Sequence, residues 1–299
     1  WVLHCSAKPL LGLAAVSCEE RGVCSLDQPV SDFIATEGPG LAATTLDALL
    51  RHEAGLVEPH GLAMTLIPQS RWPDIVARTE ARGHRSYSDV VGWLLLAAIL
   101  EAASGSSIFD LIRDVVPSHA SNFLCRGQTP VTRCPPDIVI PIDMSGDGGV
   151  PLLGEVEWAD EHPNPATGFV GSISSLAALL HDIGLSSTTG GTIASGVARR
   201  IVEASEPDFD ERLGRVSSFG RGVLTDTFLH FDPGGTPLSG EWFSVASAGS
   251  GTLAAVRRGA HPRTLVMAWQ TVFLSDEDRA AGRRRSVVDV LTRLNQFDE

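Results

Sequence analysis

Residues 1 to 34 read "WVLHCSAKPLLGLAAVSCEERGVCSLDQPVSDFI", and they hold Cys5 three places before Lys8, the single lysine in a chain with 22 arginines. From Pro9 the apolar residues recur at helical spacing and the run closes on Gly22, which predicts a helix with Cys5 to Lys8 at its start. A separation of three puts the thiol and the amine one turn apart on one face. A buried lysine can give up its proton, whereas arginine stays charged, so a lone lysine here suggests chemistry rather than surface charge. A helix N-terminus and a neighbouring ammonium both favour a thiolate. By itself the pair is short, and chance alone can place a cysteine three residues before a given lysine.

The rest of the composition sets limits. A 299-residue chain with 43% hydrophobic residues can bury a large core, in one domain or two. The net charge of −13, with no basic run longer than Arg283 to Arg285, argues against nucleic acid and anionic membrane surfaces as partners. "VVGWLLLAAIL" (Val90 to Leu100) is too short to span a bilayer and reads as a buried helix; a cytoplasmic location is expected. Five cysteines without a Cys-x-x-Cys pair fit neither a zinc site nor a full disulfide framework, although Cys125 and Cys134 could pair under oxidation. The nine histidines lack metal-binding spacing, so no metal and no cofactor are expected. "TGGT" and "DPGGT" are turn glycines rather than phosphate loops, and Asp160, Glu161 and His162 read as a solvated acidic loop.

Along the chain, helices are predicted over Thr44 to Leu56, ending near Gly55, and over Arg71 to Gly83. "SDVVGWLLLAAILEAASG", "SIFDLIRDVV", "SISSLAALLHDIG" and "TIASGVARRIVEA" continue the helical run, broken by a Pro- and Gly-rich connection through residues 127 to 168. After Pro207 the segments "FGRGVLTDTFLHFD", "EWFSVASAGSGTLAAVRR" and "RTLVMAWQTVF" read as strands, and the last 22 or so residues before Asp298 as a closing amphipathic helix. The order fits an α/β (α+β) protein: a mainly antiparallel sheet flanked by helices, from residues 1–30 and 190–299, and a mostly helical domain over 31–189.

Tyr87, in "RSYSDVVGW", is the only tyrosine. A phenol can bind or relay a proton, which phenylalanine cannot; a half-exposed tyrosine meeting water is the plainer alternative. His4, adjacent to Cys5, is placed near the site rather than in a dyad, because neighbours in sequence usually point apart.

Taken together, these segments resemble the class C β-lactamase and penicillin-binding-protein-like serine esterase superfamily. There a Ser-x-x-Lys opens a helix leading to "rGxlsLDdPVs". "LDALLRHEAGL" (Leu46 to Leu56) resembles its "LLtHtSGL", "YSDVVGWLLLAAILEAASG" its "YSNxGYxLLGxIIExxSG", and "ATGFVGSISSLAALL" (Ala166 to Leu180) its "aGGlxStaxDLarll". The departures carry information. Lys8 fixes the count, so Cys5 and not Ser6 stands at the nucleophile position, and Asp89 replaces an asparagine. The third motif, Lys-Thr-Gly or His-x-Gly, aligns with "ASAGSGT" (Ala246 to Thr252), which removes the cation that helps hold a substrate carboxylate. The family also has strands ahead of the nucleophile helix, and the chain begins at Trp1, so an upstream segment is expected.

The resemblance implies Cys5, Lys8 and Tyr87 as catalytic residues, and Asp89, Ser247, Gly249 and His4 as substrate-binding ones. The oxyanion donors would be the N–H groups of Cys5 and of a residue near Gly249. A Cys5 thioester reacts readily with amines, so the expectation is an ester-to-amide acyltransferase acting on a small-molecule acyl donor and an amine acceptor, in specialised (natural-product) metabolism such as antibiotic biosynthesis. Asp89 would attract an ammonium-bearing acceptor. An esterase, amidase or D-aminopeptidase, or a ligand-binding relative without catalysis, stays open, as does the oligomeric state.

Overall fold

The structure is a computed structural model that describes residues 3–57, 75, 78–120, 123–125, 165–166, 169–225, 241–247, 252–259 and 261–268, with His4, 123–125, 170, 267 and 268 described by backbone alone. A 3₁₀ turn, His4–Ala7, runs directly into helix α1 (Lys8–Glu20), with Pro9 in the first turn where its missing N–H costs nothing. Leu10, Leu11, Leu13, Ala14, Ala15 and Val16 are all buried, so α1 is enclosed on every side rather than amphipathic. Short helices α2 (Pro39–Ala43) and α3 (Leu46–Leu50) follow, then the apolar helix α4 (Val91–Ser104) and α5 (Ile108–Val115). Gly105, at φ 68°, supplies the left-handed residue that ends α4, and the Ser107 side chain caps α5 by accepting from Asp110 N–H. Helix α1 packs against α4 and α5 on one side and against α7 (Ser195–Val202) on another. A fully buried leucine in such a setting contributes on the order of 1.5–3 kcal/mol.

The sheet is antiparallel, with β5 (Trp242–Ser247), β6 (Thr252–Arg257) and β7 (Arg263–Ala268) in that order. Ser247 pairs with Thr252 and Trp242 with Arg257, so the segment expected to form strands is one hairpin beside the Cys5 turn. Helix α6 (Ile173–Thr188) packs across β6 and β7. It falls inside the stretch expected to be the helical domain, yet its buried face, including Leu176, Leu180 and Ile183, serves the sheet and the shared core. Two small ladders complete the described strands: β1 (Phe123–Cys125) with β2 (Phe169–Gly171), and β3 (Asp208–Asp210) with β4 (Arg215–Ser217). No single described helix is long and apolar enough to cross a membrane.

Three sequence expectations are corrected. The helix expected to reach Gly55 stops at Leu50, because His52 adopts φ 59° and turns its ring into an aromatic cluster. The helix expected to reach Gly83 ends before Arg78, since Ala81 bridges to Leu56 and Glu80 accepts from Val57 N–H. The described part of the strand expected over 219–232, residues 219–225, makes a tight turn that reaches the sheet where Leu224 bridges Ser244, and the remainder lies outside the described residues. The closing helix, the acidic cluster at Asp160 and the Cys125–Cys134 pairing lie outside the described residues.

That turn sits hard against α1. A Cβ on Gly12 would collide with the Arg221 carbonyl, and one on Gly222 would lie 2.8 Å from the Lys8 carbonyl while Gly222 itself holds φ 87°. Four charged side chains lock it there. Arg221 donates to Asp47 Oδ1 and to Glu203 Oε2, each at 2.6 Å, and Arg51 donates to Asp47 Oδ2 and Glu203 Oε2, each at 3.0 Å.

Candidate active site

Cys5 stands in the 3₁₀ turn and Lys8 is the first residue of α1, whose N–H donates to the Cys5 carbonyl. In a 3₁₀ turn residues three apart lie directly over one another, so the Cys-x-x-Lys spacing stacks the two side chains. Ser6, between them, points the other way and hydrogen bonds to Thr252 on β6 at 2.7 Å, pinning the turn to the sheet. Cys5 is half-buried at the floor of a cleft of about 250 Å³. Its other walls include Lys8, His52, Tyr87, Phe219 and the β5 residues Ser244, Val245 and Ala246.

Lys8 is 4% exposed. Its Nζ donates to the Asp89 backbone carbonyl at 2.9 Å and lies 5.2 Å from the Tyr87 ring centre and 5.3 Å from that of Trp93. The lone lysine is therefore a buried ammonium held by one carbonyl and two aromatic faces. The aromatic wall continues through His52, whose ring stacks 4.4 Å from Tyr87 and meets Phe219 edge-on at 4.7 Å. His52 Nδ1 accepts from Ser88 N–H at 2.9 Å, which leaves the proton of the neutral ring on Nε2. Burial pushes the His52 pKa well below its ordinary range, and the charges of Lys8, Arg85 and Arg212 push it the same way. This histidine is neutral at physiological pH.

Asp89 sits at the junction of these groups. The Cys5 thiol donates to its Oδ1 at 3.9 Å, and its Oδ2 forms an ion pair with Arg212 from the β3–β4 turn. The carboxylate expected to attract a cationic acceptor thus already faces one cation. Ser247 is buried one residue beyond the cleft wall. Ala246 lines the cleft, so this stretch of β5 contributes no positive charge. Gly249 lies outside the described residues, and His4 is placed in the turn by its backbone. Cys18 and Cys24 are buried; burial raises the Cys18 thiol and pushes Cys24 up to about 11. Among the described residues no group of three histidine, cysteine, aspartate or glutamate side chains is placed to hold a metal.

Sequence reasoning missed His52, Phe219 and Arg212. His52 lay within the quoted "LLRHEAGL" segment, which carried the resemblance without a role for the ring. Phe219 and Arg212 belong to a hairpin and turn with no local motif, and Arg212 meets Asp89 across 123 residues.

A Cys-x-x-Lys turn at the head of a central helix, a tyrosine loop beside it and an antiparallel hairpin as the far wall fit the β-lactamase-type fold. The chain belongs to the beta-lactamase family, whose model matches residues 2–289. Similar solved structures include a class C beta-lactamase from Rhodobacter sphaeroides, 19% identical, with TM-score 0.65 over 97% of this chain and 84% of that one. A family VIII carboxylesterase is 17% identical, with TM-score 0.67 over 96% of this chain and 82% of its own. A D-stereospecific amidohydrolase from Streptomyces sp. is 12% identical, with TM-score 0.65 over 95% and 86%. No curated protein matches the chain. At these identities the structural likeness speaks for the fold.

Proposed function

We propose that this protein is an acyltransferase that moves an acyl group from a small ester onto an amine through a Cys5 thioester. The observation that carries the reading is the place of Cys5: the nucleophile turn of the fold, at the floor of a cleft shared with Lys8 and Tyr87. In the first half-reaction the Cys5 sulfur attacks the ester carbonyl, and the C–O bond breaks. The thiol proton leaves by way of Lys8 and Tyr87 and goes to the departing alcohol. In the second, the amine attacks the thioester, the C–S bond breaks, and the amine's proton returns to the sulfur. The Cys5 N–H belongs to the first turn, whose donors a helix leaves without intrahelical partners, and serves as one oxyanion donor. The second, near Gly249, lies outside the described residues. A cationic acceptor approaching Asp89 shares it with Arg212.

Hydrolysis by an esterase, amidase or D-aminopeptidase of the same fold is the second reading. The carboxylesterase and the amidohydrolase among the similar structures favour it. The test is the ratio of amide to free acid formed from one activated ester as amine is raised, for the wild type and for Cys5→Ser. Transfer predicts amide rising with amine in the wild type, and a larger share lost to water in the serine variant, because an oxoester is the poorer donor to amines. Free acid alone at every amine level replaces transfer by hydrolysis. Absence of any acyl adduct by intact mass leaves a ligand-binding relative.

A further inference from the structure

One carboxylate touches both the nucleophile and a cation. Asp89 Oδ1 accepts from the Cys5 thiol at 3.9 Å, while Arg212 pairs with Oδ2. Arg212 also reaches the Tyr87 carbonyl at 3.5 Å, so it grips the loop that carries both site residues. A lone carboxylate at this distance opposes loss of the thiol proton, since the two anions would repel, and an adjacent guanidinium cancels most of that field. We propose that Arg212 is a positioning residue for Cys5: it orients the Asp89 carboxylate and offsets its charge, so that a nucleophilic thiolate can form beside an acid.

Among the described residues, the neighbouring groups point to other partners. Lys8, on the nucleophile's own helix, directs its Nζ to the Asp89 backbone carbonyl and to two rings. Tyr87 comes from the Asp89 loop, and His52 from beyond the end of α3 is neutral. The β5 wall of Ser244, Val245 and Ala246 carries no charge. Two nearby described contacts are His84 with Glu211 at 2.9 Å and Arg85 with Glu53 at 2.7 Å.

The inference rests on Cys5 as nucleophile, but its test needs no substrate. Iodoacetamide alkylation with peptide mapping follows Cys5 across pH in the wild type, Arg212→Gln, Arg212→Lys, Asp89→Asn and the Asp89→Asn/Arg212→Gln pair. Arg212→Gln should slow Cys5 alkylation about tenfold at neutral pH and move its rate profile to higher pH. Arg212→Lys should stay within about threefold of the wild type, because the charge persists. Asp89→Asn should accelerate the reaction, and the double variant should recover most of what Arg212→Gln loses. A merely structural arginine would show no recovery on removing Asp89. Wild-type rates in Arg212→Gln, a double variant as slow as Arg212→Gln, or a lysine variant as slow as the glutamine one overturn the role of Arg212 alone. Wild-type labelling of Cys18 or Cys24 ahead of Cys5 removes the nucleophile reading, and this inference with it.

Discussion

Two clusters of arginine and carboxylate are built in different ways. In the clamp of Asp47, Arg51, Glu203 and Arg221, two cations meet two anions, and spare donors go to carbonyls: Arg51 to Glu203 O at 3.0 Å and Arg221 to Arg200 O at 2.6 Å. Every charge is answered, and the cluster does no more than hold the 219–225 turn against α1. At the Cys5 turn, Arg212 pairs with the Asp89 carboxylate, Lys8 donates to the Asp89 backbone carbonyl, and the half-buried Cys5 thiol donates to the other carboxylate oxygen. The closed cluster contributes stability; the open one is where, on the proposed reading, a thiolate forms.

The comparison breaks most visibly at the open cluster. Lys8→Met and Tyr87→Phe should each lower turnover by about two to four orders of magnitude, the range for lost proton transfer. Tyr87→Phe keeps the ring that faces Lys8 and His52, so its melting temperature should hardly move. Lys8→Arg should not restore turnover, because guanidinium does not give up its proton. Steady-state kinetics beside thermal melts decide this, and near-normal turnover in Tyr87→Phe would return that residue to a packing role.

Arg221→Met tests the closed cluster. It removes one of the two arginines that hold Asp47 and Glu203 and should cost roughly 2–4 kcal/mol of folding stability, toward the lower end for a broken buried pair because Arg51 still faces both carboxylates and Glu203 is partly exposed. Denaturant unfolding measures it. A loss as small as a surface ion pair's would mean that the clamp is decoration.

The smallest expected effect is in pH, and it separates the two regions. His52 has its folded pKa well below its ordinary 6.5, so its contribution is complete above that value and is lost as pH falls below it, where only the unfolded chain takes up the proton. Glu203 is lowered from 4.5, chiefly by its hydrogen bond from Arg221, so the clamp's contribution is present above 4.5 and is lost further into acid. Melting temperature against pH should therefore fall in two stages. His52→Gln should abolish the first and Glu203→Gln the second; a first stage that survives in His52→Gln would show that the buried ring is not its source.

Much of the fold was legible along the chain because helical spacing and β-rich composition are local signals. The helix after Cys5, the apolar helix through Trp93 and the β character of Phe243 to Val256 read directly from sequence, while the pairing of that stretch as two strands came from the structure. Helix ends were less legible. The ends near Gly55 and Gly83 were missed because His52 and Ala81 answer to distant neighbours, and no local pattern announces a ring recruited into an aromatic wall.

The same division holds at the site. The sequence by itself determined which unusual side chains this protein has and where they stand: one lysine three residues after a cysteine, one tyrosine two residues before an aspartate. Those spacings follow from covalent order and the repeat of a helical turn. Only the tertiary structure decided what those groups face. It buried the Lys8 ammonium among rings, set a neutral His52 against Tyr87, and brought Arg212 across 123 residues to Asp89. Charge and solvation depend on distances through space, and those exist only once the chain has closed on itself.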